Sequence, residues 1–229
     1  MDKGLYTGLV MIDLQKAFDT VNHRILLHKL KAIGADETVV KWFSSYLSNR
    51  EQFVIANGSS SAKEPITCGV PQGSILGPLL FIIYVNDMEQ SVNCELFLYA
   101  DDSALLVSGK CVAQIEQSLS ENMNSLKQWL DHNRLSLHLG KTESILFATK
   151  YKLRKSSQLS VYCNETPILP KANVKYLGLT FDQDLSRHSI GNNAVQRINN
   201  GLKFLYRKGH LFNTKEKKDD VFHFSTTIL

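Results

Sequence analysis

An α+β fold is predicted for this 229-residue chain by three observations. Short apolar runs of strand length are interspersed with segments whose apolar residues recur at helical spacing. Two of the short runs flank a polar tip, the pattern of a β-hairpin. The resulting order of strand, helix, hairpin, helix, strand belongs to helices packed on a sheet. Hydrophobic residues make up 43% of the chain, which supplies a core for one large domain or two small ones.

The elements follow in order. Residues 9–14 (LVMIDL) form an apolar run broken by a single carboxylate, short enough to be a buried strand with Asp13 at its C-terminal end. After Thr20, the spacing of Val21, Ile25, Leu26 and Leu30 is helical, and Gly34 suits the C-cap. Val39, Val40, Trp42, Phe43 and Tyr46 predict a second helix, with Trp42 and, further on, Trp129 expected in the core. Residues 52–56 read as a strand entering an Asn57-Gly58 turn. Gly69, Pro71, Gly73, Gly77 and Pro78 punctuate a loop that runs into a helix over 79–85, with Pro78 in its first turn. Residues 96–99 and 103–107 are the arms of the hairpin whose tip carries Asp101 and Asp102. Val112, Ile115, Leu119, Met123, Leu126 and Leu130 predict a long helix, followed by a strand over 143–148. Beyond a basic stretch (Lys150, Lys152, Arg154, Lys155) come strand-like segments over 159–162 and 174–181 and a helix over 194–206. The weakly marked boundary near 182–190 divides the chain into domains at 1–185 and 186–229.

Charge and cysteine usage bound the function classes. A formal net charge of +4 is compatible with a polyanionic partner but too mild to require one. Cys68, Cys94, Cys111 and Cys163 are scattered without C-x-x-C spacing or a histidine cluster, which argues against a zinc site and fits a reducing compartment. The most apolar stretch, 78–85, is far shorter than the ~20 residues of a membrane-spanning helix, and no signal-peptide pattern opens the chain. A soluble, intracellular protein is expected, in nucleus or cytoplasm, with no membrane partner and no oligomeric state specified.

Two adjacent carboxylates at the tip of an apolar hairpin repel each other, and a divalent metal resolves the conflict. Mg²⁺ prefers carboxylate oxygens and keeps waters and substrate phosphates as its other ligands. Two such ions about 3.5–4 Å apart serve an in-line phosphoryl displacement. Asp13, also at a strand end, is the candidate third carboxylate. The competing reading makes Asp101-Asp102 a solvated turn and Asp13 an N-cap for the helix that follows.

Read together, the strings are more specific. Tyr99-Ala-Asp-Asp102 (YADD) resembles the catalytic hairpin of reverse transcriptases, and Asp13 to Asp19 (DLQKAFD) resembles their first metal-binding motif. Between them GVPQGSILGPLL, Gly69 to Leu80, resembles the family's template- and nucleotide-contacting loop and helix. Further on, Trp129-Leu130, Leu135-Ser-Leu137 and Lys141-Thr142 resemble the segment that places a lysine near the triphosphate, and Lys175-Tyr-Leu-Gly178 resembles a primer-grip hairpin. FDTVNH, GVPQGSILGP and YLG point to the non-LTR retrotransposon class, LINE-like and jockey-like, over roughly residues 9–185.

The resemblance implies a polymerase palm, a ferredoxin-like antiparallel sheet with packed helices, plus part of a helical thumb. It implies an RNA-directed DNA polymerase that adds dNMP to a primer 3′-hydroxyl, with RNA template, DNA primer and dNTP as partners and two Mg²⁺, replaceable by Mn²⁺, as cofactors. Asp13, Asp101 and Asp102 are then metal ligands, with the Leu14 carbonyl also available. Phe18 lies beneath the sugar and excludes a 2′-hydroxyl, or is simply a core aromatic. Gln72 and Gly73 contact nucleotide or template, or face water. Lys141 is a proton donor at the triphosphate or a surface lysine. Tyr176, Leu177 and Gly178 hold the primer. Lys150 and Lys152, with Lys203, Arg207 and Lys208, follow the nucleic-acid backbone or are solvated. Two departures qualify the match: Asp13 stands close to Met1, where the family carries fingers, and His138 replaces the asparagine usual before Lys-Thr. They leave open a polymerase shortened at its N-terminus and inactive, or a non-catalytic nucleic-acid-binding remnant.

Overall fold

The structure, a computed structural model, describes residues 4–186. The expected helix over 194–206, and Lys203, Arg207 and Lys208 with it, lie outside the described residues. The chain divides into two compact units, Met1–Lys171 and Ala172–Leu229.

The first unit opens with β1 (Tyr6–Ile12) and β2 (Leu14–Gln15), a 3₁₀ turn at Ala17–Asp19, then α1 (His23–Ala32) and α2 (Glu37–Leu47). Four two-residue strands follow, β3 (Glu51–Gln52), β4 (Ile55–Ala56), β5 (Ser59–Ser60) and β6 (Glu64–Pro65), and then α3 (Leu76–Val85). The hairpin β7 (Glu95–Tyr99) and β8 (Asp102–Gly109) leads to α4 (Val112–His132). Last come β9 (Ser136–Leu137), β10 (Glu143–Phe147), α5 (Lys150–Leu153), β11 (Val161–Cys163) and β12 (Thr166–Pro170).

Six strands form one sheet in the order β11-β12-β10-β1-β8-β7, antiparallel except for the β10–β12 pair. α4 lies across β1, β8 and β11 and buries Ile115, Leu119, Met123, Leu126 and Leu130, one stripe at helical spacing. Gly8 on β1 admits this approach, since a Cβ there would stand 2.5 Å from Ile115 and 2.7 Å from Leu119. Side chains alternate across the sheet, so Gly8, Val10 and Ile12 face α4. Leu9, Met11, Ala104 and Asp102 belong to the opposite face.

The helix caps follow from sequence. Asn22 accepts the Ile25 N–H at 3.1 Å, and Asp36 accepts the Val39 N–H at 2.8 Å. Gly34 leaves α1 at φ +96°. The Ser74 hydroxyl takes the Gly77 N–H, which places Pro78 in the first turn of α3 where no N–H is needed. Asn57 and Gly58 make the β4–β5 turn with φ of 50° and 78°.

Three expectations are corrected. Trp42 is 54% exposed, stacked along α2 on Tyr46, whereas Trp129 packs against the core while half-buried. Their neighbours at helical spacing turn toward the core and the larger rings stay at its rim. The strand expected over 9–14 breaks at Asp13, because β1 pairs with β10 and β8 whereas β2 pairs with β9. The strand expected over 52–56 is two short pieces, β3 with β6 and β4 with β5, all exposed.

Within the second unit, β13 (Asn173–Tyr176) and β14 (Leu179–Asp182) pair antiparallel through a two-residue turn. Its residues Leu177 and Gly178 have φ of 47° and 81°, both positive as such tight turns demand.

Candidate active site

The sheet register places the acidic residues. Ile12 pairs with Ser103, so the adjoining position on each strand, Asp13 and Asp102, lies at the same end of the sheet. Tyr99 pairs with Asp102 across the hairpin, leaving Ala100 and Asp101 as its two-residue turn. Ala100 bends there at φ 53°. Asp13, Asp101 and Asp102 therefore share one sheet end. The N-cap alternative for Asp13 fails, since Asn22 caps α1 and a 3₁₀ turn stands between.

The electrostatics agree with this placement. The Asp102 carboxyl is pushed above the usual carboxylate range by partial burial and then by the negative charges of Asp101 and Asp13. Among the described residues no three His, Cys, Asp or Glu side chains are gathered closely enough to hold a metal as they stand. The donor set nonetheless suits a hard divalent cation, all oxygen, from three strand-end positions. Leu14, buried in β2, pairs with Leu137.

The loop that precedes α3 is stitched to the turn after Asp13. Gly69 N–H donates to Val21 C=O and Val70 N–H to Phe18 C=O, each at 2.8 Å, while His23 Nε2 bonds Gly69 C=O at 2.7 Å. Gly69 has φ +87°, and a Cβ there would stand 2.7 Å from the Asp19 carbonyl oxygen, so only glycine fits. Gln72 Nε2 donates to Asp19 Oδ1 at 2.7 Å, and Gly73 follows with φ +78° in open space. Lys16, Asp19, Arg50, Cys68, Gly69 and Gln72 line an open cavity of about 570 Å³. Phe18 is half-buried and stacks on Phe81 of α3, ring centroids 4.5 Å apart.

A second turn braces Asp13. His138 N–H donates to the Asp13 carbonyl at 2.8 Å, so the exposed Lys141 is carried in a turn bonded directly to Asp13. Lys150 and Lys152 lie elsewhere. Thr7 pairs with Phe147, so α5 emerges where β1 begins. Lys152 donates to the Gly4 carbonyl and sits 4.3 Å over the Tyr6 ring. Seven strand residues, about 20 Å, separate that end from Asp13. Tyr176, Leu177 and Gly178 occupy the end of β13 and its turn in the second unit.

Asp19, His23 and Thr142 stood in the quoted motifs with no role of their own assigned from sequence. The hold of Asp19 on Gln72 needs the fold.

Comparison with known proteins identifies the family. Residues 1–181 match the family described as reverse transcriptase (RNA-dependent DNA polymerase). The chain belongs to the reverse transcriptase family. It is 32% identical over 200 residues to the RNA-directed DNA polymerase from mobile element jockey of Drosophila melanogaster, covering 82% of this chain and 21% of that protein. It is 33% identical over 192 residues to the probable RNA-directed DNA polymerase from transposon BS of the same species, covering 79% and 20%. This reverse transcriptase domain thus spans about a fifth of the length of those non-LTR relatives. A solved apo telomerase from Candida tropicalis shares the fold, with a TM-score of 0.55 and 13% identity over 79% of this chain and 35% of that one. The family works with divalent metal ions, and no described helix is long and apolar enough to cross a membrane.

Proposed function

We propose that this domain is the catalytic palm of an RNA-directed DNA polymerase, transferring dNMP from a dNTP to a primer 3′-hydroxyl on an RNA template. One observation carries the reading: the register that sets Asp13 beside the hairpin tip bearing Asp101 and Asp102. These carboxylates, with the Leu14 carbonyl, would hold two Mg²⁺ ions. Such ions supply Lewis-acid activation of the attacking hydroxyl and neutralise charge on the leaving pyrophosphate.

The chain's own residues do the rest by positioning. Phe18, backed by Phe81, forms the wall beneath the sugar where a 2′-hydroxyl would overlap. Gln72, aligned by Asp19, borders the nucleotide and template from the cavity side, and Gly73 next to it leaves room for them. Lys141, carried in the turn that braces Asp13, offers a proton on the triphosphate side. Tyr176, Leu177 and Gly178 supply a tight hairpin for the primer strand. Lys150 and Lys152, at the far end of β1, serve a distant stretch of phosphate backbone.

Primer extension on poly(rA)/oligo(dT) with Mg²⁺ or Mn²⁺ tests the reading. Extension should be abolished by Asp102→Asn and by Asp13→Asn. Extension that survives either change would place the chemistry elsewhere. Salt-sensitive binding of the duplex without extension by the unaltered chain would reduce the domain to a nucleic-acid-binding module.

A further inference from the structure

Asp13 stands at a break in the strand. β1 ends at Ile12 and β2 begins at Leu14, so its backbone groups take partners from outside the central ladder. Both partners come from one turn. His138 N–H donates to the Asp13 carbonyl at 2.8 Å, and Asp13 N–H donates to Thr142 Oγ1 at 3.4 Å. The Thr142 hydroxyl donates in turn to the His138 carbonyl at 3.1 Å, which closes a ring of three hydrogen bonds around Asp13. Thr142 is wholly buried, so no water competes for its hydroxyl.

We propose that Thr142 is a positioning residue for the Asp13 carboxylate, its hydroxyl standing in for the strand partner that the break removes. The inference rests on the reading of Asp13 as a metal ligand. The His138 carbonyl also accepts the backbone N–H groups of Lys141 and Thr142, both at 3.0 Å. It stays satisfied when the hydroxyl is lost, and the Asp13 N–H alone goes unpaired. A strand end freed in this way lets the carboxylate wander from the hairpin tip. Because Lys141 adjoins Thr142, the same clamp holds the ligand carboxylate and the lysine in one frame.

Thr142→Val removes the hydroxyl at nearly constant volume, and Thr142→Ser retains it. Two quantities are read in the full chain: the exchange rate of the Asp13 amide hydrogen by NMR, and the affinity for Mn²⁺ by electron paramagnetic resonance. Thr142→Val should speed Asp13 exchange about fivefold, the worth of one modest hydrogen bond, and weaken Mn²⁺ binding by a similar factor. Thr142→Ser should restore both. Unchanged Asp13 exchange in Thr142→Val would overturn the clamp. Faster exchange with unaltered Mn²⁺ affinity would overturn the positioning role and leave the hydroxyl a purely structural one. If the unaltered chain binds no Mn²⁺, the metal reading itself fails, and the exchange rates still decide the clamp. Should Thr142→Val not fold, Thr142→Ala carries the same comparison.

Discussion

At the scale of single residues, Asp102 shows a site at odds with its own fold. Although Asp102 is exposed, partial desolvation and the charges of Asp101 and Asp13 hold its carboxyl above the usual range, so the folded state binds that proton more tightly than the unfolded chain does. Below the unfolded value both states are protonated and the group costs nothing. As pH rises through the raised folded value, the penalty develops and stability falls. Asp102→Asn should therefore melt at a higher temperature than the unaltered chain at neutral pH, with the gap closing near about pH 4. Thermal denaturation followed by circular dichroism across that range checks it, and an equal gap at both ends would contradict the charge argument. A divalent ion should narrow the gap at neutral pH by relieving the repulsion in the unaltered chain only.

At the scale of elements, the hairpin that carries the acidic pair stores strain at its tip. Ala100 takes φ 53°, where a Cβ crowds the backbone and glycine is favoured. Ala100→Gly should stabilise the domain by about 1 kcal/mol, read from the midpoint of urea unfolding. No gain would mean that the turn relaxes without cost. The hairpin was legible because its arms, with Leu96 and Leu98 on one side and Ala104 and Leu105 on the other, bracket a polar tip. The β3–β6 arm was legible only at its Asn57-Gly58 turn, since Phe53, Val54 and Ile55 are apolar yet exposed, which defeats any reading of burial from composition. Trp42 misled for the same reason.

At the scale of the whole first unit, Tyr84 joins three helices. It is wholly buried on α3, its hydroxyl accepts the Asn22 N–H at the start of α1 at 3.3 Å, and it donates to the Asn133 carbonyl at the end of α4 at 2.5 Å. Lys29 of α1 reinforces the junction, donating to the Tyr84 carbonyl at 2.7 Å and to Asp87 at 2.5 Å, although burial lowers its pKa. Tyr84→Phe leaves the part-buried Asn22 N–H and the buried Asn133 carbonyl without this partner and should cost about 1–3 kcal/mol. Chemical denaturation measures the loss, and a change within error would show that water replaces the hydroxyl.

What the sequence determined by itself were the features that depend on neighbours along the chain. Helical spacing marked α1, α2 and α4, the Asn57-Gly58 turn followed from positive φ, and the order of DLQKAFD, GVPQGS and YADD pointed to the family. The tertiary structure decided what depends on contact across the chain. Only the β1–β8 register puts Asp13 beside Asp102, and only the packing of the 69–72 loop against 18–21 joins Gln72 to Asp19. The bracing of Asp13 by Thr142 spans 129 positions, and the separation of Lys150 and Lys152 from the acidic end follows from antiparallel pairing of β1 with β10. Local spacing carries no information about such pairings, because hydrogen bonds and charge act through distance in space rather than along the sequence.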